Sequence, residues 1–392
     1  MSKEITISII SDLHCCHSSA KDAKSSTILF SDKLREPTVE HPIESLKKLI
    51  NQESLSSDYL FCPGDLSDKI DIQGLISGFN FVNEIREQFK NCPLFITTGN
   101  HDIDSRRRHK EFTSAIYPTK YFTINYPTSH TLQKQNYWAD GYFIYEDDNS
   151  IVINLNTSHE SLNEEDAKKI QIPKPILQRI NAELKKRDTS KMLIAHFHHH
   201  PIKMSNSKLE YRDNDVIENG DKLLEILIEN NCDLVVHGHK HIPMLTNYNK
   251  LPIFSSGSFS SLQNVAEHSG FNTFHQIKLI PNGRSSNLKI KTWIYTMTRG
   301  WKQSDDPYFW FPPNTGFGSK EDVNNLISKV EFAMKDKDRM DFEDLLKDLP
   351  DIDFLSPFEQ EKMEQELKKV SIEFVPKLPL NPLYLTNYSK NE

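Results

Sequence analysis

Short apolar runs alternate with stretches in which apolar residues recur every three or four positions, over most of the chain before Gly238. The short runs are typical of buried strands, and the periodic stretches are typical of amphipathic helices. The predicted strands are Ile5–Ile10, Tyr59–Cys62, Leu94–Thr97, Ile151–Leu155, Met192–Ala195 and Leu234–Val236. The predicted helices are Ile43–Ile50, Leu75–Phe89, Arg106–Ile116, Ile176–Lys186 and Leu223–Ile228. Such alternation predicts an α/β fold.

After Gly238 the pattern changes to hairpins. Met244–Thr246 and Leu251–Ser255 are joined through Tyr248-Asn249, and Phe271–Leu279 is joined to Leu288–Tyr295 across Asn282-Gly283. An Asn-Gly pair between apolar runs is a strong hairpin signal. Together the two patterns predict two mixed β-sheets packed face to face and flanked by helices.

Beyond Tyr295 aromatic residues crowd a segment that ends at Pro312-Pro313, and two helices with recognisable starts follow. Ser319 with Asp322 approximates a capping box, and Ser356 with Glu359 forms the fuller pattern. We therefore expect a main domain of residues 1–297, followed over 298–392 by an aromatic and proline-rich linker and a helical C-terminal extension. The apolar stripes of these helices favour docking on the main domain over the alternative, a module that binds a protein partner or a second copy.

The composition is ordinary for a globular protein, with 392 residues, 37% hydrophobic and 26% charged. A formal net charge of −8 argues against a broad surface for duplex nucleic acid, although it leaves room for a local basic strip. No run of eighteen apolar residues occurs, so we expect no membrane span. The odd set of five cysteines lacks framework spacing, which favours reduced thiols in the cytoplasm.

Five polar blocks follow strand-like runs and share one chemical theme, a carboxylate, imidazole or carboxamide, in most cases beside a glycine. They are Ser11-Asp12-Leu13-His14, Pro63-Gly64-Asp65, Gly99-Asn100-His101-Asp102, His198-His199-His200-Pro201 and Gly238-His239-Lys240-His241. Open α/β sheets place their sites at the carboxyl ends of strands. Asp, Asn and His without any thiolate suit divalent transition metals better than a structural zinc cage. The blocks therefore predict a two-metal hydrolytic centre.

A pair of metal ions needs one ligand that both share, and a carboxylate serves best. Asp65 is the candidate, because it follows a buried run and Gly64 permits a tight turn. Asp12 and His14 lie two residues apart, so an extended segment would direct both side chains to one ion. His239 and His241 repeat that spacing, with one imidazole for each ion.

The order D-x-H, G-D, G-N-H-D, H, G-H-x-H resembles that of the calcineurin-like metallophosphoesterase superfamily, over residues 1 to about 297. The resemblance implies an αββα sandwich, in agreement with the hydrophobic pattern. It also implies a first ion held by Asp12, His14, Asp65 and His241, and a second held by Asp65, Asn100, His239 and one histidine of the His198–His200 run.

For that last ligand the family usually places the histidine two positions before the proline. This spacing selects His199, with His198 as the reserve. The resemblance further implies that His101 is the general acid that faces the leaving oxygen, oriented by Asp102.

Other residues near the blocks have plainer interpretations. Histidines at or just after the end of a strand, His196, His198 and His200, are each expected to be hydrogen-bonded structural groups more than metal ligands. Cys15 and Cys16 are expected to fill space. Arg106, Arg107 and Arg108 begin a predicted helix directly after the third block, where they could bind substrate phosphate or form a solvated helix face.

The resemblance implies a hydrolase of phosphate esters, a phosphodiesterase more than a monoesterase. It implies two divalent ions of manganese, iron or zinc, and a hydroxide bound to them that attacks the phosphate ester. The Gly-His-Lys-His block with the following Ser-Ser-Gly-Ser run is most similar to bacterial cyclic-nucleotide and glycerophosphodiester phosphodiesterases. Nucleases of the double-strand-break repair branch share the five blocks and form the alternative, with a nucleotide or nucleic acid as substrate. A hypothesis of another class is a non-catalytic scaffold that binds partners through its C-terminal helices.

Overall fold

The computed structural model describes residues 3–20, 23–104, 109, 114–159, 169–206, 211–212, 216–262, 271–283, 285–303, 311–378 and 380–390. It confirms the predicted α/β fold with two large mixed sheets. Most of the predicted helix Arg106–Ile116 falls outside the described residues, and its last three positions form a turn.

The first sheet carries three of the polar blocks at the ends of parallel strands. Within the described residues its order is β14-β13-β12-β1-β2-β3, and β15 pairs with β13. The strands are β1 (Ile5–Ile9), β2 (Tyr59–Cys62), β3 (Leu94–Ile96), β12 (Asn272–Asn282), β13 (Ser285–Thr296), β14 (Gly300–Gln303) and β15 (Asn314–Phe317). Strands β1, β2 and β3 run parallel, so the loops that follow them leave the sheet at one edge.

The second sheet carries the remaining two blocks. Its order within the described residues is β10-β11-β9-β6-β5-β4. The strands are β4 (Tyr142–Glu146), β5 (Ser150–Leu155), β6 (Met192–His196), β9 (Leu234–His237), β10 (Met244–Tyr248) and β11 (Leu251–Ser255), and β7 (Ser205–Asn206) pairs with β8 (Tyr211–Arg212) nearby. Strands β5, β6, β9 and β11 run parallel.

Helices cover the outer faces of the two sheets. In the main body they are α1 (Ala23–Ser26), α2 (Pro42–Gln52), α3 (Ile72–Gln88), α4 (Tyr117–Phe122), α5 (Thr131–Asp140), α6 (Lys174–Leu184) and α7 (Gly220–Glu229). Helix α3 begins where the carboxylate of Asp71 accepts a hydrogen bond from the backbone N–H of Gly74, a typical N-cap.

Apolar side chains on alternate strand positions build two layers of core. Phe61, Phe95, Ile194 and Val236 belong to the layer that joins the inner faces of the sheets. A second cluster packs the outer face of the second sheet against α6 and α7. Full burial of such a side chain contributes about 1.5–3 kcal/mol, so these layers hold the strand ends, and the loops after them, in fixed positions.

The C-terminal extension has its own apolar cluster, built from residues between Val323 and Leu385. It contains α8 (Val323–Met334), α9 (Phe342–Asp348), a 3-10 helix (Pro350–Phe354), α10 (Pro357–Lys369) and a terminal 3-10 turn (Tyr388–Lys390). It also contains a small antiparallel sheet that the sequence analysis did not predict, formed by β16 (Arg339–Asp341), β17 (Ile372–Val375) and β18 (Tyr384–Asn387) in the order β16-β18-β17.

The starts of the two predicted helices agree with the capping patterns only in part. Ser356 and Glu359 form the expected reciprocal capping box. Before α8, however, the N-cap is Asp322, whose side chain accepts from the backbone N–H of Asn324, so Ser319 lies outside the cap.

The extension docks at the end of the first sheet that lies away from the polar blocks. Strand β15 pairs with Leu288–Lys291 of β13, and Leu288 is opposite Leu279, which in turn is opposite Ile5 at the start of β1. The first polar block follows the other end of β1. Strands β14 and β15 extend the first sheet, while the second apolar unit begins at Val323; the division into two domains stays a prediction.

Candidate metal centre

Five loops from the two sheets bring the polar blocks together. Each loop follows a parallel strand: β1, β2 and β3 in the first sheet, and β6 and β9 in the second. Backbone contacts join the loops, including a hydrogen bond of 3.0 Å from the N–H of Asp12 to the carbonyl of Gly64. Residues far apart in the sequence therefore meet at one edge, as expected for an α/β sheet.

The backbone is left-handed at many of the predicted ligands. Asp12, His14, Asp65, His239 and His241 have φ values of 53°, 48°, 53°, 87° and 61°. Residues other than glycine seldom adopt positive φ, and such conformations cluster at functional sites because the surrounding structure must hold them there. The shared conformation indicates that the fold stabilises these side-chain directions at a local cost.

Two glycines of the blocks allow the loops to touch. A Cβ atom at Gly99 would lie 2.0 Å from Oδ1 of Asp65, and one at Gly238 would lie 2.4 Å from Oγ of Ser11. No side chain fits at either position, so these glycines let the ligand loops approach to backbone contact.

The first group of donor atoms comes from the loops after β1 and β9. Asp12, His14 and His241 are buried, and one potential ligand atom from each lies within 4.8 Å of the others. Nε2 of His14 is 2.9 Å from Nε2 of His241 and 3.6 Å from Oδ2 of Asp65. Two imidazole nitrogens that face each other beside two carboxylates form a donor set suited to one divalent ion.

The second group lies on the other side of Asp65. Nε2 of His198 is 3.1 Å from Oδ1 of Asn100 and 3.5 Å from Oδ2 of Asp65. Nδ1 of His239 is 3.0 Å from the same amide oxygen of Asn100. Because Oδ2 of Asp65 is close to both groups, it occupies the position expected of a shared ligand.

His198, the reserve in the sequence analysis, has the geometry expected of the ligand for which His199 was selected. Nδ1 of His198 is 2.6 Å from the carbonyl oxygen of Pro63, which can only accept, so the proton sits on Nδ1. The neutral ring then directs the unprotonated Nε2 at the oxygens of Asn100 and Asp65. Lone pairs that face each other in this way call for a cation between them.

His199 lies beside this group with a different hydrogen-bond partner. Its Nδ1 is 2.7 Å from Oγ1 of Thr157, and its ring centroid is 4.6 Å from that of His239. Potential ligand atoms of His198, His199 and His239 all lie within 4.8 Å of one another, so the choice of His199 stays a prediction beside the ligand that we propose, His198.

Burial controls the charge states of the centre. It raises the pKa of Asp12 to about 8 and that of Asp65 well above its ordinary value, with the nearby carboxylate of Asp102 adding to the effect on Asp65. Burial also lowers the pKa of His14 to about 4 and the pKa values of His198 and His239 well below their ordinary values. Neutral imidazoles are the form that binds metal, and a divalent ion would favour the ionised carboxylates.

The carboxylate within hydrogen-bonding distance of the His101 imidazole is that of Asp68, and the orienting role of Asp102 stays a prediction. Nδ1 of His101 is 3.1 Å from Oδ1 of Asp68, whereas the carboxylate of Asp102 accepts from the backbone N–H groups of Gly99 and Ser67, each at 3.0 Å. Burial opposes ionisation of Asp68, but the hydrogen bond from His101 and the imidazole of His14, whose Nδ1 is 3.7 Å from Oδ1 of Asp68, outweigh it and hold the pKa below its ordinary value. The ring of His101 is partly exposed and lies 4.6 Å from that of His14.

Sequence reasoning missed Asp68 and its neighbour Lys69. Lys69 and Ile70 both have positive φ, and this turn brings the N–H of Lys69 within 3.2 Å of Nδ1 of His101. Nζ of Lys69 lies 3.5 Å from Oδ2 of Asp68, which places a partly exposed cation beside His101. The only signal in the sequence was the spacing of three residues after Asp65.

The remaining candidates divide into structural groups and untested ones. His196 stacks on Phe61 and pairs with Asn154 in the core, and Cys15 and Cys16 are buried free thiols. The predicted substrate-binding residues Arg106, Arg107 and Arg108 lie outside the described residues. None of the helices among the described residues combines the length and apolar character needed to cross a bilayer.

A family model for the calcineurin-like phosphoesterases matches residues 5–243, so the chain belongs to this family. That match covers all five ligand loops and confirms the resemblance inferred from the blocks. No curated protein matches the chain.

Three solved structures are similar to this chain at low sequence identity. A purple acid phosphatase from yellow lupin (Lupinus luteus) is 13% identical over 76% of this chain and 52% of its own, with a TM-score of 0.45. A protein of Staphylococcus aureus named a 5′-nucleotidase is 13% identical over 71% of this chain and 51% of its own, with a TM-score of 0.41. Vacuolar protein sorting 29 from Cryptosporidium parvum is 11% identical over 76% of this chain and 95% of its own, with a TM-score of 0.34. The chain spans about half the length of the first two proteins.

Proposed function

We propose that the chain is a dinuclear metal-dependent hydrolase of phosphate esters that prefers phosphodiesters to monoesters. The observation that carries the proposal is that imidazole nitrogens and carboxylate oxygens converge around Asp65. They lie so close together that their lone pairs repel one another, and a bound divalent ion would remove this repulsion. Asp12, His14, Asp65 and His241 would hold one ion, and Asp65, Asn100, His198 and His239 the other. Two such ions, when bound, withdraw charge from a phosphate and lower the pKa of a water molecule.

His101 is the group of this chain placed to move a proton. It is the partly exposed imidazole beside the first donor group, and Asp68 holds its Nδ1, so Nε2 is left to face a leaving oxygen. Lys69 stands next to this pair and adds positive charge on the same side.

The balance of buried charge favours a diester. Among the described residues four buried carboxylates, those of Asp12, Asp65, Asp68 and Asp102, surround the donor groups. Their negative charges offset those of two divalent ions, so the centre attracts the second negative charge of a monoester less than two ions without these carboxylates would. This reasoning supports the predicted preference for phosphodiesters over monoesters.

The test compares two chromogenic esters on the same protein. The purified chain is loaded with manganese, iron or zinc, its bound metal is measured, and turnover of bis(p-nitrophenyl) phosphate is compared with that of p-nitrophenyl phosphate. We expect two ions for each chain and a higher kcat/KM for the diester. A higher value for the monoester would contradict the diester assignment, and a chain without bound metal or turnover would leave only the scaffold hypothesis.

The natural substrate then follows from a panel of cyclic nucleotides, glycerophosphodiesters, single- and double-stranded DNA, RNA and phosphopeptides. Arg106, Arg107 and Arg108 stay a predicted substrate-binding strip. Their joint replacement by glutamine is expected to weaken binding of a polyanionic substrate, and to flatten the dependence of affinity on salt, more than it affects bis(p-nitrophenyl) phosphate.

The cytoplasmic location inferred from the cysteines also stays a prediction.

The C-terminal extension is proposed to act apart from the chemistry. It docks by β15 and the 3-10 helix near Lys289, whose ammonium group contacts Asp353, at the far end of the sheet from Asp12. A protein partner or a second copy that binds the apolar unit between Val323 and Leu385 would therefore leave the metal centre uncovered. Removal of the extension is expected to leave the metal stoichiometry at two, provided that the shortened chain still folds.

A further inference from the structure

Asp102 is a fully buried carboxylate that joins two of the ligand loops. Its Oδ1 accepts a hydrogen bond of 3.0 Å from the backbone N–H of Ser67, two residues after Asp65. Its Oδ2 accepts a hydrogen bond of 3.0 Å from the backbone N–H of Gly99, one residue before Asn100. One side chain thus holds both loops that supply oxygen ligands to the second ion.

Further contacts make these two loops a single unit. The backbone N–H of His101 donates to Oδ1 of Asp65 at 2.8 Å, and the hydroxyl of Ser67 donates to the carbonyl of His101 at 3.1 Å. A Cβ atom at Gly64 would lie 2.7 Å from the nitrogen of Gly99, so the two backbones are already in contact. A small loss of alignment between the loops would therefore change the distance between the oxygens of Asp65 and Asn100.

We propose that Asp102 is a positioning residue that fixes Asp65 and Asn100 relative to each other and thereby sets the affinity for the second metal ion without binding that ion. The inference rests on the proposed dinuclear function. Groups that orient metal ligands from outside typically contribute about 10–100-fold to metal affinity. An amide at this position keeps one acceptor but presents an N–H₂ group to a backbone donor, so one of the two loop contacts is lost.

The first ion should be affected less than the second. Three of its four proposed ligands, Asp12, His14 and His241, come from the loops after β1 and β9, which Asp102 does not join. Only Asp65 is shared. Loss of the Asp102 contacts should therefore separate the two binding steps instead of weakening both equally.

The experiment is a titration of metal-free protein with Co²⁺, followed by absorbance, for the wild type, Asp102→Asn and a matched control, Asp233→Asn. Asp233 is also a buried carboxylate that accepts from a backbone N–H, that of Leu193 at 2.9 Å, and from the hydroxyl of Ser286 at 2.9 Å. Leu193 lies near the start of β6, away from the ligand loops. All titrations are made well below the melting temperature of each variant.

We expect Asp102→Asn to weaken the second binding step by about 10–100-fold while the first step changes less than about threefold. Asp233→Asn should lower the melting temperature and leave both steps unchanged. If Asp102→Asn does not fold, Ser67→Ala takes its place, because it removes the hydrogen bond from the Ser67 hydroxyl to the carbonyl of His101 in the loop after β3. We expect it to weaken the second binding step by a smaller factor.

Three outcomes would overturn the inference. Unchanged affinity for the second ion in the variant would do so, as would an equal loss in Asp233→Asn, which would mark a general effect of stability. A wild-type chain that binds no second ion would overturn the proposed dinuclear function together with this inference, and the wild-type titration alone distinguishes that failure from the other two.

Discussion

Replacement of His101 by glutamine tests the general acid more sharply than loss of activity alone. Glutamine keeps a polar side chain of similar reach but cannot donate a proton at neutral pH. A general acid contributes about 10²–10⁴-fold, which corresponds to about 3–5 kcal/mol of the activation free energy. The imidazole lies at the mouth of the centre and outside both donor groups, so metal content should stay at the wild-type value.

The assay is a series of phosphodiesters whose leaving groups range from p-nitrophenol to simple alcohols. Nitrophenolate needs little protonation, so the loss in kcat/KM should be small for it and should approach the full factor for an alcohol. His130→Gln is the control, because His130 is exposed and stacks on Tyr145, away from the ligand loops. An equal loss for all leaving groups, or loss of bound metal, would refute the general-acid role.

The remaining predictions concern the shared ligand, the histidine run and the extension. Asp65→Asn should lose both ions and all turnover, because an amide cannot supply bridging charge; two ions found by metal analysis would contradict this. His198→Ala should lose the second ion while His199→Ala keeps it, and the reverse result would restore the ligand expected from the proline spacing. Burial raises the pKa of Glu364 in the folded chain to about 7, above the ordinary value that it has in the unfolded chain. The free energy of unfolding therefore falls as the pH rises from the unfolded pKa to the folded one. Glu364→Gln should therefore stabilise the chain at pH 8 by roughly 1–2 kcal/mol, after allowance for partial exposure, and by nothing at pH 4; urea unfolding at both pH values measures this.

Much of the centre was predictable because its ligands follow strands. The runs before Asp12, Asp65, Asn100 and His239 are short and apolar, and parallel strands deliver their carboxyl ends to one edge. Hydrophobic alternation therefore predicts where these loops lie. In two of these blocks a glycine, Gly99 or Gly238, lets the loops approach to backbone contact.

Two features of the centre depend on contacts made where the chain leaves regular structure. The choice between His198 and His199 depends on a carbonyl of Pro63, a residue far away in the sequence, and no local pattern reports that contact. The turn in which Asp68 contacts His101 continues with two consecutive left-handed residues, Lys69 and Ile70. Their side-chain types do not predict this conformation.

The small sheet of the extension was missed for a different reason. Strands β16, β17 and β18 have three or four residues each, too few to show a clear alternation. Their pairing is stabilised by packing against α8 and α10 around residues such as Met340 and Phe374. Such strands depend on tertiary contacts and cannot be inferred from local sequence alone.

The most direct test of the central claim is reconstitution of the metal-free chain with increasing Mn²⁺ while bound metal and turnover of bis(p-nitrophenyl) phosphate are measured on the same samples. The account predicts two ions for each chain and a rise in turnover that follows occupancy of the second site. Full turnover with one ion bound, or two ions bound without turnover of any phosphate ester, would contradict it.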